Sequence, residues 1–254
     1  MQQARPRHLV VLIALAVGVA QAFGRFSYAL LLPAIDRDLL DSYALAGLVG
    51  TVNVAAYLLG AVAVSALSRR ADPAAMIRGG LLGSSSGLLV LWQADSAVAL
   101  AVGLALTGFG GAFIWVPAPG LAGSVVRPSR RGAAIGVSGS GIGGGIVFAS
   151  AAALHTQGGD ASWRTVYLVE AVLALVVLLL CQLFLRPAVH RDADVPVRSG
   201  ALRRVPAWAA VVGGYAAYGL AYSVYTTYLV TALEDDAGFS PGGAASVYTL
   251  VGAS

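Results

Sequence analysis

Apolar residues fall along this chain in long runs separated by short polar segments. The runs cover roughly Leu9–Pro33, Leu45–Leu67, Ala74–Ala94, Ala97–Val126, Ala133–His155, Thr165–Leu185 and Trp208–Leu233, and another begins near Gly243. A helix needs about 20 mostly apolar residues to cross the hydrocarbon of a bilayer. The pattern therefore predicts an all-α polytopic membrane protein with seven spans and the start of an eighth, within which the chain ends at Ser254. The N-terminal residues, with Ala20-Gln21-Ala22 behind them, imitate a secretory signal and its small-residue cleavage site. The apolar stretch continues past that site and further spans follow, so the segment reads as helix one.

The polar segments alternate in charge. One set carries Arg5 and Arg7, then Arg69, Arg70 and Arg78, then Arg127, Arg130 and Arg131, then Arg186, Arg191, Arg198, Arg203 and Arg204. The other carries Asp36, Asp38, Asp41, Asp95, Asp160, Glu234, Asp235 and Asp236, with Arg37 and Arg164 among them. Arg-rich loops stay on the cytoplasmic side, which predicts a cytoplasmic N-terminus in a bacterial inner membrane. Composition agrees: 58% of residues are hydrophobic and 11% charged, with mean hydropathy +0.79, where about a quarter of a soluble domain is charged. A net charge of +4 and pI near 9.5 would suit nucleic acid. Here topology accounts for the basic residues, so the partner predicted is the lipid bilayer and not nucleic acid.

Little in the sequence suggests catalysis or a metal. Cys181 is the one cysteine, so an intrachain disulfide is impossible. None of His8, His155 and His190 has a metal-ligand neighbour at suitable spacing, and no cofactor is expected. Ser85 in Gly-x-Ser-x-Gly and Ser138 in Gly-Val-Ser-Gly resemble nucleophile motifs, and a serine nucleophile needs a base within hydrogen-bond reach. His155 lies 17 residues from Ser138 along the same helix, about 25 Å at the helical rise. Gly139-x-Gly141-x-x-Gly144 matches a dinucleotide fingerprint but lacks the strand that the fingerprint requires. The chain is read as not an enzyme.

Two charges fall inside spans, Arg25 and Glu170. Charges there usually face a cavity or a partner. Arg25 is eight residues from Pro33 and Glu170 seven from Trp163, which places both about 11–12 Å below the same surface. Two readings stand: Arg25 binds an anionic group, or it pairs with Glu170 to hold two helices. Gln21 and Tyr28 share a helical face with Arg25, at i−4 and i+3, as do Asn53 and Tyr57 on the second span. Tyr215, Tyr218, Tyr222 and Tyr225 form a stripe along the seventh span, readable as a cavity wall or as aromatic packing. Thr107 and Trp115 decorate the fourth span, which Pro117 and Pro119 should bend.

At an offset of 197, the first span lies over the seventh: Tyr28 falls on Tyr225, Leu32 on Leu229 and Asp38 on Asp235. Each acidic loop then reaches a serine, Ser42 or Ser240, placed to cap the next helix. This pattern suggests duplicated halves. It divides the chain into a six-helix bundle at 1–186, a cytoplasmic linker at 187–206 and the start of a second bundle at 207–254.

Two further motifs carry a family resemblance. Pro128–Gly136 reads P-x-x-R-G-x-A-x-G, and Trp163–Tyr167 reads W-R-x-x-Y. With them, and with GRFSYALLLPA ending helix one, the chain resembles the major facilitator superfamily, most closely its YbfB/YjiJ-type bacterial branch. The resemblance implies a twelve-helix fold of which this chain is a part, monomeric when full length, working by alternating access as a secondary active transporter. It implies that helices one, four and seven line a cavity, so Gln21, Arg25, Tyr28, Asn53, Tyr57, Trp115, Tyr218, Tyr222 and Tyr225 are the candidate substrate residues. Glu170, alone or with Arg25, is the candidate proton-coupling or ion-pairing group. The expected activity is proton-coupled movement of a small organic, anionic solute. The alternatives are proton-driven multidrug efflux and, from another class, a membrane sensor or intramembrane enzyme.

Two motifs depart from the family pattern. In the loop after the second span, Ser68 and Ala71 stand where the family carries aspartate and glycine, which questions the usual loop-to-helix latch. Gly132, Gly141 and Gly145 match the spacing of the antiporter motif, but Ile146, Ala149 and Ser150 replace its proline and last glycines. Close helix packing by small residues is the competing explanation.

Overall fold

The structure is a computed structural model that describes residues 5–40, 42–68, 70–156, 163–185 and 207–253. The expected linker at 187–206 lies outside the described residues, as do Asp41, Arg69, Asp160 and Arg186. Ten α-helices are present among the described residues, and no strand. The first span is split into α1 (Arg5–Gln21) and α2 (Ser27–Ile35) by an irregular turn at Ala22–Phe26. Then come α3 (Tyr43–Leu67), α4 (Pro73–Trp92), α5 (Ala97–Trp115), α6 (Ala118–Ser124), α7 (Arg131–Thr156), α8 (Trp163–Phe184), α9 (Trp208–Asp235) and α10 (Pro241–Ala253). The fourth span breaks after Trp115, where Pro117 cannot supply a helical N–H.

Six segments among the described residues are long and apolar enough to cross a membrane, Arg7–Leu40 through Trp163–Phe184. The seventh expected span, α9, is not one of them. It is 28 residues long, but its tyrosines and glycines dilute its hydropathy. Helix starts follow the expected chemistry: the Ser42 hydroxyl accepts from Leu45 N at 3.4 Å, and the Ser240 hydroxyl from Gly243 N at 3.2 Å. In the loop after the second span, the Ser68 hydroxyl donates back to Ser65 O, and Asp72 accepts from Ala75 N at 3.0 Å to cap α4.

At the acidic end of the bundle, the Trp-Arg pair that opens α8 ties three segments together. Arg164 Nη1 meets Asp38 Oδ2 at 2.7 Å, and Trp163 Nε1 donates to the same oxygen at 3.0 Å. The rest of the guanidinium donates to Ala94 O, past the end of α4, from Nε at 3.1 Å and Nη2 at 2.8 Å. On the α9 side, Arg37 lies 3.5 Å from Glu234, and the Tyr43 hydroxyl donates to Asp235.

Three glycines of α7, Gly141, Gly143 and Gly145, pack closely against neighbouring helices. A Cβ at Gly141 would sit 1.9 Å from Ala14 O of α1, and one at Gly145 would sit 2.5 Å from the Ala22 side chain. These two glycines, at i and i+4, let the α1 and α7 backbones touch, as small residues do between membrane helices. Gly132, the third residue of the antiporter spacing, has no neighbour at that distance. Gly141→Ala should therefore push α1 from α7 and destabilise the bundle by about 1–3 kcal/mol, seen as a lower melting temperature in detergent. Gly132→Ala should leave that temperature unchanged or slightly raised, since Ala is the better helix former.

Candidate functional site

The site is built around the break in the first span. Phe23 is extended (φ −74°, ψ 144°) and Gly24 takes φ 81°, ψ −72°, which L side chains rarely adopt. A Cβ at Gly24 would also lie 2.7 Å from Thr107 Oγ1. The turn then closes unusually wide, with Ser27 N–H reaching the carbonyls of both Ala22 and Gly24. Backbone groups freed inside a membrane need partners, and neighbouring helices supply them. Ser27 Oγ donates to Glu170 Oε1 of α8, and Gly24 N–H lies beside the same carboxyl. The Tyr248 hydroxyl of α10 is 3.4 Å from Phe26 O and from Thr226 O.

Arg25 projects from this turn to the other side. Its Nη2 donates to Ser223 Oγ of α9 at 2.8 Å. Among the described residues no carboxylate is within ion-pair distance of it, so the expected Arg25–Glu170 pair is not formed. Arg25 faces Ser223 of α9, whereas Glu170 lies against Ser27 and Gly24, although their chain positions put them level. Glu170 is fully buried, and its Oε2 has no hydrogen-bond partner among the described residues.

Four of the candidate residues meet. Gln21, Arg25, Asn53 and Tyr57, with Ala20, Val54 and Gly108, line a small cavity of about 20 Å³. Asn53 also locks α3 to α5: its amide donates to Leu104 O at 2.8 Å and to Thr107 Oγ1 at 3.1 Å. Gln21 Nε2 is buried there, beside the Tyr57 hydroxyl. Tyr222 faces the site from α9, edge-on to Phe26 at 6.3 Å and stacked on Tyr218 at 5.7 Å. Tyr218 and Tyr225 are themselves largely exposed on α9.

Tyr28 and Trp115 lie elsewhere. Tyr28 is buried, its hydroxyl donating to Ala46 O at 2.7 Å and its ring against Gly50. The backbone from Arg25 to Tyr28 is helical, the non-helical residues Phe23 and Gly24 lying before it, so what removes Tyr28 from the cavity is its own packing against α3. Trp115 is eight residues beyond Thr107 on α5, about 12 Å towards the Arg-rich end. The Ser138 hydroxyl is turned onto its own helix, donating to Ile135 O at 2.8 Å.

Sequence reasoning missed Ser27, Ser223 and Tyr248. Ser223 had a usable signal, because its separation of 198 from Arg25 is one residue from the 197 offset of the two spans.

The sequence profile of the Major Facilitator Superfamily matches residues 14–254. The chain belongs to the major facilitator superfamily. The uncharacterized transporter YgaY of Escherichia coli O157:H7 is 31% identical over 176 residues, 66% of this chain and 43% of the relative. The chain thus spans less than half the length of that relative. Among solved structures, a D-xylose-proton symporter matches 97% of this chain and 66% of its own, with TM-score 0.69 and 14% identity. The peptide transporter POT matches 99% of this chain and 50% of its own, with TM-score 0.61 and 18% identity. At such identities the likeness is one of fold. These matches establish the superfamily and a multi-pass membrane protein, not a branch within the superfamily.

In this major facilitator chain the break depends on residue 24. Gly24→Ala should cost about 1–3 kcal/mol in backbone strain, and Thr107 leaves no room for relief. Thermal unfolding in detergent should show it, and an unchanged midpoint would mean that the first span is a continuous helix.

Proposed function

We propose that this chain is part of a secondary active transporter of a bacterial inner membrane, N-terminus cytoplasmic, that moves a small organic solute by alternating access. Residues 1–186 form its first six-helix domain, and 207–254 begin a second, joined by the linker at 187–206. The transporter acts as a monomer. The solute carries an anionic group that Arg25 holds, with Gln21, Tyr57 and Tyr222 shaping the site.

The observation that carries this reading is the half-buried guanidinium at the break, whose hydrogen-bond partner is the neutral hydroxyl of Ser223. A central arginine costs about 2.5–3.5 kcal/mol on insertion scales, and one neutral contact leaves most of its donors for an anion. Its place between the first and seventh spans is where two alternately moving halves would share a ligand.

Proton coupling is assigned to Glu170. In its support, the carboxyl is fully buried and keeps one oxygen without a hydrogen-bond partner among the described residues. The same observation favours a second reading, proton-driven efflux of amphipathic drugs, in which Arg25 takes no part in binding.

Reconstituted in proteoliposomes, the protein should take up or extrude a carboxylate solute. Arg25→Ala should lower that transport by roughly tenfold or more, the scale of a lost charge-assisted hydrogen bond. Arg25→Lys should recover part of it, lacking the planar fork. Normal carboxylate transport by Arg25→Ala, with drug efflux lost, would favour the second reading. Glu170→Gln should abolish the response to an imposed pH gradient in both readings while leaving solute exchange in place. A full pH-gradient response would remove Glu170 from the mechanism.

A further inference from the structure

At the Arg-rich end of the bundle, away from the site above, a groove of about 440 Å³ opens between α1, the segment joining α6 to α7, and the start of α7. Three arginines stand round it: Arg7 from α1, and Arg127 and Arg130 from the joining segment. All three are exposed, and none is in an ion pair among the described residues. Among the described residues no carboxylate lines the groove. Ala133 and Ala134 of its floor belong to the first turn of α7, so the positive end of that helix dipole adds to the charge.

The remaining wall is Val10, Val11, Val126 and Val137. Val10 and Val137 each lie four residues before the contact of Ala14 with Gly141, about 6 Å along the helices. There the two backbones touch, so the groove is sealed towards the bilayer centre. Its apolar exit is sideways, over Val11 and Val137, which are 53% and 46% exposed.

We propose that this groove binds an anionic phospholipid of the surrounding bilayer. The three guanidiniums hold the phosphate, and the acyl chains leave laterally over Val11 and Val137. Charge complementarity and the sealed inner end select this occupant. A soluble anion would use the arginines but not the apolar exit, and a neutral lipid the reverse. Arginine suits phosphate because its planar fork donates two hydrogen bonds at once, and basic pockets between membrane helices bind anionic headgroups.

The test compares phosphatidylglycerol with phosphatidylcholine, by native mass spectrometry of retained lipid and by melting temperature in mixed micelles. The protein should retain phosphatidylglycerol preferentially and be stabilised by it. Arg7→Gln/Arg127→Gln/Arg130→Gln should weaken that preference by roughly tenfold or more. A control variant, Arg70→Gln/Arg131→Gln, removes arginines of the same end that do not line the groove and should keep the preference. Should the triple variant fail to fold, Val137→Trp fills the apolar exit with the charges intact, and should lose the preference too. Glycerol phosphate at matched concentration should not compete, and competition would assign the site to a soluble anion. Equal loss in the control variant would reduce the effect to general surface charge, and equal retention of both lipids would remove the site. Either result overturns the proposal.

Discussion

The structure hangs on five residues, Ala22–Phe26, where the first span stops being a helix and restarts. A broken helix inside a membrane exposes backbone groups that water cannot reach, each costing several kcal/mol if left alone. Here the break is tolerated because other helices come to it. Thr107 of α5 packs against Gly24, Glu170 of α8 and Ser27 bond each other beside it, and Tyr248 of α10 reaches Phe26 O. Asn53 of α3 then holds Thr107 in place. Elements from across the bundle are therefore positioned by one irregular turn, and the turn is held by them.

The break also explains how two charges can lie level in a membrane without pairing. The end of α1 presents carbonyls and the negative end of its dipole, and the start of α2 presents the positive end. Arg25 follows the first and Glu170 sits at the second, through Ser27. The Arg25 guanidinium meets the Ser223 hydroxyl, and the Glu170 carboxyl accepts from Ser27. A direct ion pair would have quenched both and left neither for a ligand or a proton.

Much of the architecture was legible because it depends on length and apolarity. Runs such as Ala133–His155 reappear as α7, Arg131–Thr156, since a bilayer of fixed thickness imposes the spacing. Pro117 marked the break in the fourth span because proline lacks an N–H. The break in the first span was hidden, because one glycine in a membrane helix is as often packing as kink, and Gly141 shows the packing use. Tyr28 was misplaced for another reason: a shared helical face does not say which neighbour the side chain meets, and Tyr28 packs on Gly50 and bonds Ala46 O of α3. Asn53 and Tyr57 came together because α3 stayed helical, whereas Gln21 lines the same cavity as Arg25 although the break lies between them. Ser27 and Tyr248 carry no distinguishing pattern, since their roles arise only once the break exists.

For the proposed transporter, the geometry bears on how solute and proton could inform one another. Arg25 and Ser27 are two residues apart, both just after the non-helical Phe23 and Gly24. Neutralising Glu170 would take a negative charge from the start of α2 and weaken its hold on Ser27, while an anion on Arg25 would draw the same turn towards α9. Both events would act on one backbone turn from opposite sides, which is what a coupling free energy between two sites requires. Communication would then run through the backbone of the first span, and the absence of a direct Arg25–Glu170 contact becomes a condition of the mechanism.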